Sequence, residues 1–203
     1  MGPVSEPSDE ALLLAWQGGD SSAFEALFRR WQGPLRRHLT RMLDDAAAAD
    51  DLVVETFLRL ERHRGRWRPG TPLRPWLFTI ARNLCLNEIR RRSRHPAESL
   101  DQTHAEADDQ PLHQVEDKRV AAPPEQLLHG ELEQKITDAL AELPENQRIA
   151  LLLCRQEELS YEEIAEVLGC SLSATKSLIH RGRETLKTKL KPYLRTGAWR
   201  STK

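Results

Sequence analysis

SYEEIAEVLGCSLSATKSLIHRGRETLKTKLKP, residues 160–192, holds two helices in one recognisable arrangement. Ser160 followed three positions later by Glu163 is a capping box, which satisfies two otherwise orphaned backbone N–H groups and starts a helix. Ile164, Ala165, Val167 and Leu168 give it an apolar face, and Gly169 supplies the left-handed residue that ends it. A second helix follows at once. Ser171 can cap it, and Leu172, Thr175, Ile179, Leu186 and Leu190 recur on one face. Pro192 is the expected stop, because proline lacks an N–H and clashes with the preceding turn. The opposite face carries Lys176, Ser177, His180, Arg181 and Arg183. A basic helix behind a tight glycine turn is the shape that sets side chains into a DNA major groove.

Charge counting separates this reading from an ordinary solvated helix. Residues 131–166 hold ten acids against three bases, whereas residues 167–203 hold one acid, Glu184, against nine Lys and Arg. A soluble helical domain with no polyanionic partner intersperses its signs. Concentrating cations on one surface is what a phosphate backbone rewards.

The net charge of -1 over 203 residues conceals the same segregation elsewhere. Residues 9–94 contain sixteen Arg and no Lys against eleven acids, and residues 95–130 contain eight acids against Lys118 and Arg119. The acidic stretch also holds Pro96, Pro111, Pro123 and Pro124 and lacks apolar periodicity, so 95–124 is expected to be a flexible acidic linker. Such a linker should keep its flanking units, 9–94 and 125–195, apart. The fold class expected is all-α, with two small helical domains on a tether.

Residues 9–43 are read as amphipathic helix divided at Gly18-Gly19-Asp20, with Leu13, Trp16, Phe24, Leu27, Phe28, Trp31, Leu35 and Leu39 buried. In 51–60, DLVVETFLRL, residues Leu52, Val53, Phe57 and Leu60 share one face. Val54 and Leu58 then fall on another, flanked by Asp51, Glu55 and Arg59. That strip is either a partner-helix surface or the second face of a fully buried helix.

Gly65, Pro69, Gly70, Pro72 and Pro75 impose a loop crowded with Arg62, Arg64, Arg66, Arg68 and Arg74 around Trp67. Guanidinium groups follow phosphates and an aromatic ring offers a stacking face, a combination suited to single-stranded nucleic acid. Trp67 is either that platform or a buried loop anchor. Trp76 is expected to be structural, in a helix whose core includes Leu77, Ile80, Ala81, Leu84 and Ile89.

Cys85, Cys154 and Cys170 form neither a CxxC pair nor a zinc-ligand pattern, so neither a disulfide framework nor a metal site is expected, and no cofactor is implied. No apolar run is long enough to span a bilayer, and MGPVSEPSDE lacks a signal-peptide pattern, so a cytoplasmic protein is expected.

Taken together, the segments resemble the extracytoplasmic-function (ECF) class of bacterial RNA polymerase sigma factors. In the first domain the matching motifs are DLVVETFLRL (51–60), WRPGTPLRPWLFTIARN (67–83) and the arginine run that follows. In the second they are LAELPENQRIALLL (140–153), LSYEEIAEVLGCS (159–171) and ATKSLIHRGRETL (174–186). The resemblance covers 9–94 and 125–192. It implies a non-enzymatic initiation factor that binds core RNA polymerase and promoter DNA, both as duplex and as non-template single strand, with an anti-sigma protein as a further partner. Asp51, Leu52, Val54, Glu55, Leu58 and Arg59 match the surface that docks on core polymerase. Arg66, Trp67, Arg68, Arg74 and Asn83 match the loop and helix that take the minus-10 element. Ser173, Ala174, Lys176, Ser177, His180, Arg181 and Arg183 match the minus-35 recognition helix. The family usually has Gln where Val54 stands and often Arg where Leu178 stands, and Ala174-Thr175 replaces a common Thr-Val pair. The competing readings are a helix-turn-helix regulator that does not bind polymerase and a DNA recombinase. The recombinase would need an N-terminal catalytic α/β domain, and nothing in 1–94 alternates like strands.

Overall fold

A computed structural model of the chain describes residues 7–94, 124–157 and 159–196. Among the described residues there are eight α-helices, one 3-10 turn and no strand.

The first four helices are α1 (Asp9–Gln17), α2 (Ser21–Leu43), α3 (Ala46–Arg62) and α4 (Leu73–Arg94). Each break has a local cause. Gly19 adopts φ 102°, a conformation nearly closed to L side chains, and Asp20 then caps α2 by accepting from Ser22 N at 2.9 Å. Asp44 ends α2 in the left-handed region, and Asp45 caps α3 through Ala48 N at 3.0 Å. Asp45 also accepts from Arg92 Nη2 at 2.8 Å, tying the start of α3 to the end of α4. The Ala48 N–H and then Arg92 hold the Asp45 carboxyl below its usual range.

Leu27, Leu35, Leu39, Leu60, Leu77 and Phe78 are fully buried between these helices. Phe24 stacks on Trp16 at 5.0 Å, and Phe28 meets Phe57 edge-on at 4.8 Å. Burying each such side chain contributes roughly 1.5–3 kcal/mol.

His38 of α2 lies in this core, 1% exposed, edge-on to the Phe78 ring at 5.4 Å and with Nδ1 unpartnered. Burial alone pushes its pKa from 6.5 down to about 4. The unfolded chain therefore binds the proton between those values while the folded one does not. The stability this neutral ring contributes is present above pH 6.5 and is lost as pH falls toward 4. The first domain is expected to lose about 2 kcal/mol between pH 7 and pH 5. Urea unfolding followed by tryptophan fluorescence reads this domain, since Trp16, Trp31, Trp67 and Trp76 all lie in it. A His38→Leu chain should lose most of that pH dependence, and equal slopes for both chains would refute the assignment.

The remaining helices are α5 (Pro124–Ala141), α6 (Glu145–Gln156), α7 (Tyr161–Leu168) and α8 (Leu172–Thr196). The capping box forms as read from the sequence: Glu163 N donates to Ser160 Oγ at 3.1 Å, and Ser160 N to Glu163 Oε2 at 2.8 Å. Gly169, at φ 64°, turns the chain into α8, and Ser171 Oγ accepts from Ala174 N at 3.2 Å. Ile149, Leu153, Ile164, Val167, Thr175 and Ile179 are buried where α6, α7 and α8 converge. At Gly182 a Cβ would stand 2.7 Å from Leu151 Cδ1, so glycine lets α8 cross close over α6.

Two expectations are corrected. Pro192 does not stop α8, which runs on to Thr196. It falls near the end of a long helix, where the lost hydrogen bond costs little further structure. The described parts of the two domains are also not held apart. α4 packs on α7 and α2 on α6, and buried apolar residues of both domains belong to one connected cluster.

Candidate nucleic-acid interface

On α8 the two predicted faces separate as the periodicity requires. Thr175 and Ile179 are buried, and Leu172, Leu178, Leu186 and Leu190 are half-buried. Ser173, Lys176, Ser177, His180, Arg181 and Arg183 are exposed, with Ala174 half-buried at the start of the helix. The Thr175 hydroxyl donates to Ser171 O at 3.2 Å and lies 3.2 Å from the Cys170 Sγ, which fixes the rotation of α8 against the turn. The exposed face thus presents three permanent cations, an imidazole and two hydroxyls on a rigid rod, as duplex recognition requires.

In the first domain the loop between α3 and α4 is built from below. Gln17 of α1 donates from Nε2 to Arg64 O at 2.7 Å and to Trp67 O at 3.2 Å. Glu10 accepts from Gly70 N at 2.9 Å. The Arg64 guanidinium lies 5.9 Å over the Trp16 ring. Arg66 and Arg68 are left exposed on the outer side. Glu10 and Gln17 carried no sequence signal, since they act across 47 to 60 residues of chain.

Trp67 is a correction to the platform reading. The residue is 4% exposed and its Nε1 donates to Thr71 O at 2.9 Å, so it pins the loop from inside. Arg74 also differs from the expected loop cation. It is half-buried at the start of α4, with its guanidinium 5.9 Å from the Trp31 ring and Nε unpartnered. Asn83 is exposed on α4 and accepts from Arg82 Nη1 at 3.3 Å. Trp76 is half-buried and, with Trp67, Arg66, Arg68 and His63, lines a cleft of about 340 Å3. Glu166 of α7 closes its other side.

Along α3, Val53, Phe57 and Leu60 are buried and Leu52 is half-buried. Val54 and Leu58 stand 52% and 47% exposed. Beside them Asp51 is exposed and Arg59 Nε donates to Glu55 Oε1 at 2.8 Å, holding that carboxyl below its usual range. The alternative of a fully buried α3 is excluded.

An all-helical fold with an exposed apolar strip, an arginine loop and a basic recognition helix, in that order, narrows the family sharply. Residues 27–95 match the model of Sigma-70 region 2, and residues 133–186 match Sigma-70, region 4. The chain belongs to the ECF class of RNA polymerase sigma factors. It is 33% identical over 196 residues to the RNA polymerase sigma-H factor of Pseudomonas aeruginosa, covering 95% of this chain and 98% of that one. To the ECF RNA polymerase sigma-E factor of Haemophilus influenzae it is 32% identical over 188 residues, covering 92% and 97%. Among solved structures, the sigma factor RpoE of Bartonella quintana, in complex with the anti-sigma factor NepR, superposes with a TM-score of 0.60 at 26% identity, over 83% of this chain and 96% of that one. As a sigma factor it acts in transcription initiation, with core RNA polymerase and promoter DNA as partners. Among the described residues no helix is long and apolar enough to cross a membrane, and no cluster of His, Cys, Asp and Glu is placed to hold a metal. All three cysteines are free, and burial pushes the Cys85 thiol up to about 12.

Proposed function

We propose that the two domains of this sigma factor divide promoter recognition between them. The second domain reads the minus-35 duplex through Lys176, Ser177, His180, Arg181 and Arg183, with Ser173 and Ala174 at the leading end of α8. The first domain docks on core polymerase through Asp51, Leu52, Val54, Glu55, Leu58 and Arg59. Its Arg66, Arg68 and Asn83 take the minus-10 non-template strand, and Trp67 shapes the loop. Arg74 serves the loop as a support at the start of α4. The protein carries out no covalent chemistry of its own and works in the cytoplasm, where an anti-sigma protein can sequester it.

The observation that carries this reading is the outward face of α8, whose cations are exposed while Thr175 and Ile179 anchor its back. A side chain bonding a base edge provides roughly 1–3 kcal/mol of discrimination, and a phosphate contact a sequence-independent share that falls with salt. Run-off transcription with purified core polymerase on a library of promoter fragments tests it. The native chain should give promoter-specific transcripts, and Lys176→Ala with Arg181→Ala should lower promoter affinity about 10- to 100-fold. Unchanged binding at several salt concentrations would mean that α8 faces the DNA differently.

A further inference from the structure

Between α3 and α4 the arginine loop has little regular structure of its own beyond the short 3-10 turn at 64–66. Its backbone is gripped at three points by side chains of α1. Gln17 Nε2 serves Arg64 O at 2.7 Å and Trp67 O at 3.2 Å, and Glu10 Oε1 takes Gly70 N at 2.9 Å. Exposed Arg66 stands between the first two points in the chain and exposed Arg68 between the last two. The grip thus falls on backbone either side of each arginine and spends neither side chain.

α1 is in turn firmly seated. Asp9 accepts from Arg30 Nη1 at 2.6 Å and from Trp31 Nε1 at 3.1 Å, both on α2. Leu12, Leu13 and Trp16 are buried in the core cluster. The Sigma-70 region 2 match begins at residue 27, so the helix that grips the loop lies ahead of the part of the chain which that family model covers.

We propose that α1 sets the sequence selectivity of the arginine loop, with Gln17 and Glu10 as positioning residues that hold its backbone in the form that reads bases. The proposal rests on the assignment of that loop to the minus-10 single strand. Attraction between guanidinium groups and phosphates survives in a loose loop, because it depends weakly on direction and carries no sequence information. Telling one base from another needs hydrogen-bond donors and shape held at fixed distance and angle. A loop ordered before binding also spares the strand the entropy of ordering it. Loosening the grip should therefore cost discrimination far more than total affinity.

The test uses the full chain bound to core polymerase and a pool of fluorescent 12-nucleotide single strands, randomised at the central positions. Anisotropy gives the affinity for the pool, and sequencing of bound strands gives the enrichment of the best sequences over the average. Gln17→Met keeps the length of the side chain but loses the N–H, and Glu10→Ala removes the acceptor at an exposed position. Together they should lower enrichment about tenfold while pool affinity stays within about twofold. Glu10→Ala alone, which disturbs no packing, should lower it about threefold. Glu10→Gln still offers an oxygen to Gly70 N and should retain the native enrichment, a rescue that a merely electrostatic role of Glu10 would not give. Urea unfolding followed by tryptophan fluorescence confirms that each variant is folded. Native enrichment in the double variant would overturn the role of α1, and so would an equal fall in enrichment and pool affinity, which marks a displaced loop. Arg66→Ser with Arg68→Ser should lower pool affinity itself about tenfold. If that pair changes neither quantity, the loop's assignment to the strand fails and the role of α1 falls with it.

Discussion

Phe78→Ala should destabilise the first domain by about 3–5 kcal/mol, the range for removing a large buried ring. Phe78 has no solvent exposure, and its ring meets Trp31 edge-on at 6.4 Å from one side and His38 at 5.4 Å from another. Both partners are on α2, so this one side chain from α4 locks the second helix to the fourth. Small domains are stable by only about 5–15 kcal/mol, so the loss takes a large part of the whole. Urea unfolding followed by tryptophan fluorescence measures it, because Trp31 reports the site directly. A loss below about 1 kcal/mol would mean that α2 and α4 are held together by other contacts.

A second large effect is expected at the apolar strip of α3. Val54→Arg with Leu58→Arg should weaken association with core polymerase at least 100-fold, about 2.7 kcal/mol, while leaving urea stability within about 0.5 kcal/mol. The two residues are four apart on one helix face and half-exposed, so arginine there disturbs no core packing. Titration of labelled protein with purified core polymerase reads the affinity. If binding persists with both arginines in place, the principal core interface lies off α3.

What could be read from residues alone is everything whose cause is local in the chain. The Ser160–Glu163 capping box, the Gly169 turn and the Gly18-Gly19-Asp20 break depend on neighbours within four residues, and they stand as expected. The two faces of α3 and α8 follow from the 3.6-residue period, which fixes Phe57 and Ile179 inward and Leu58 and Arg181 outward whatever else the helix meets. Charge segregation likewise points to polyanionic partners from composition alone.

The rest depended on pairs far apart in sequence. Trp67 carried equal arguments for a stacking platform and for an anchor, and only the Thr71 carbonyl beneath its Nε1 and the closing of α1 over the loop resolve them. Glu10 and Gln17 look like ordinary solvated positions until α1 lies against residues 64–70. Nothing in the segment LRRHLTR around His38 signals its burial, which follows from the way α2 and α4 cross. The seam was misjudged for the same reason: an acidic, proline-rich linker suggests separation, but which helix faces meet across the two domains is set by contacts far apart in sequence. Periodicity sets which side of a helix is apolar, whereas which helix covers it is a matter of how long-range contacts close, and no local pattern encodes that.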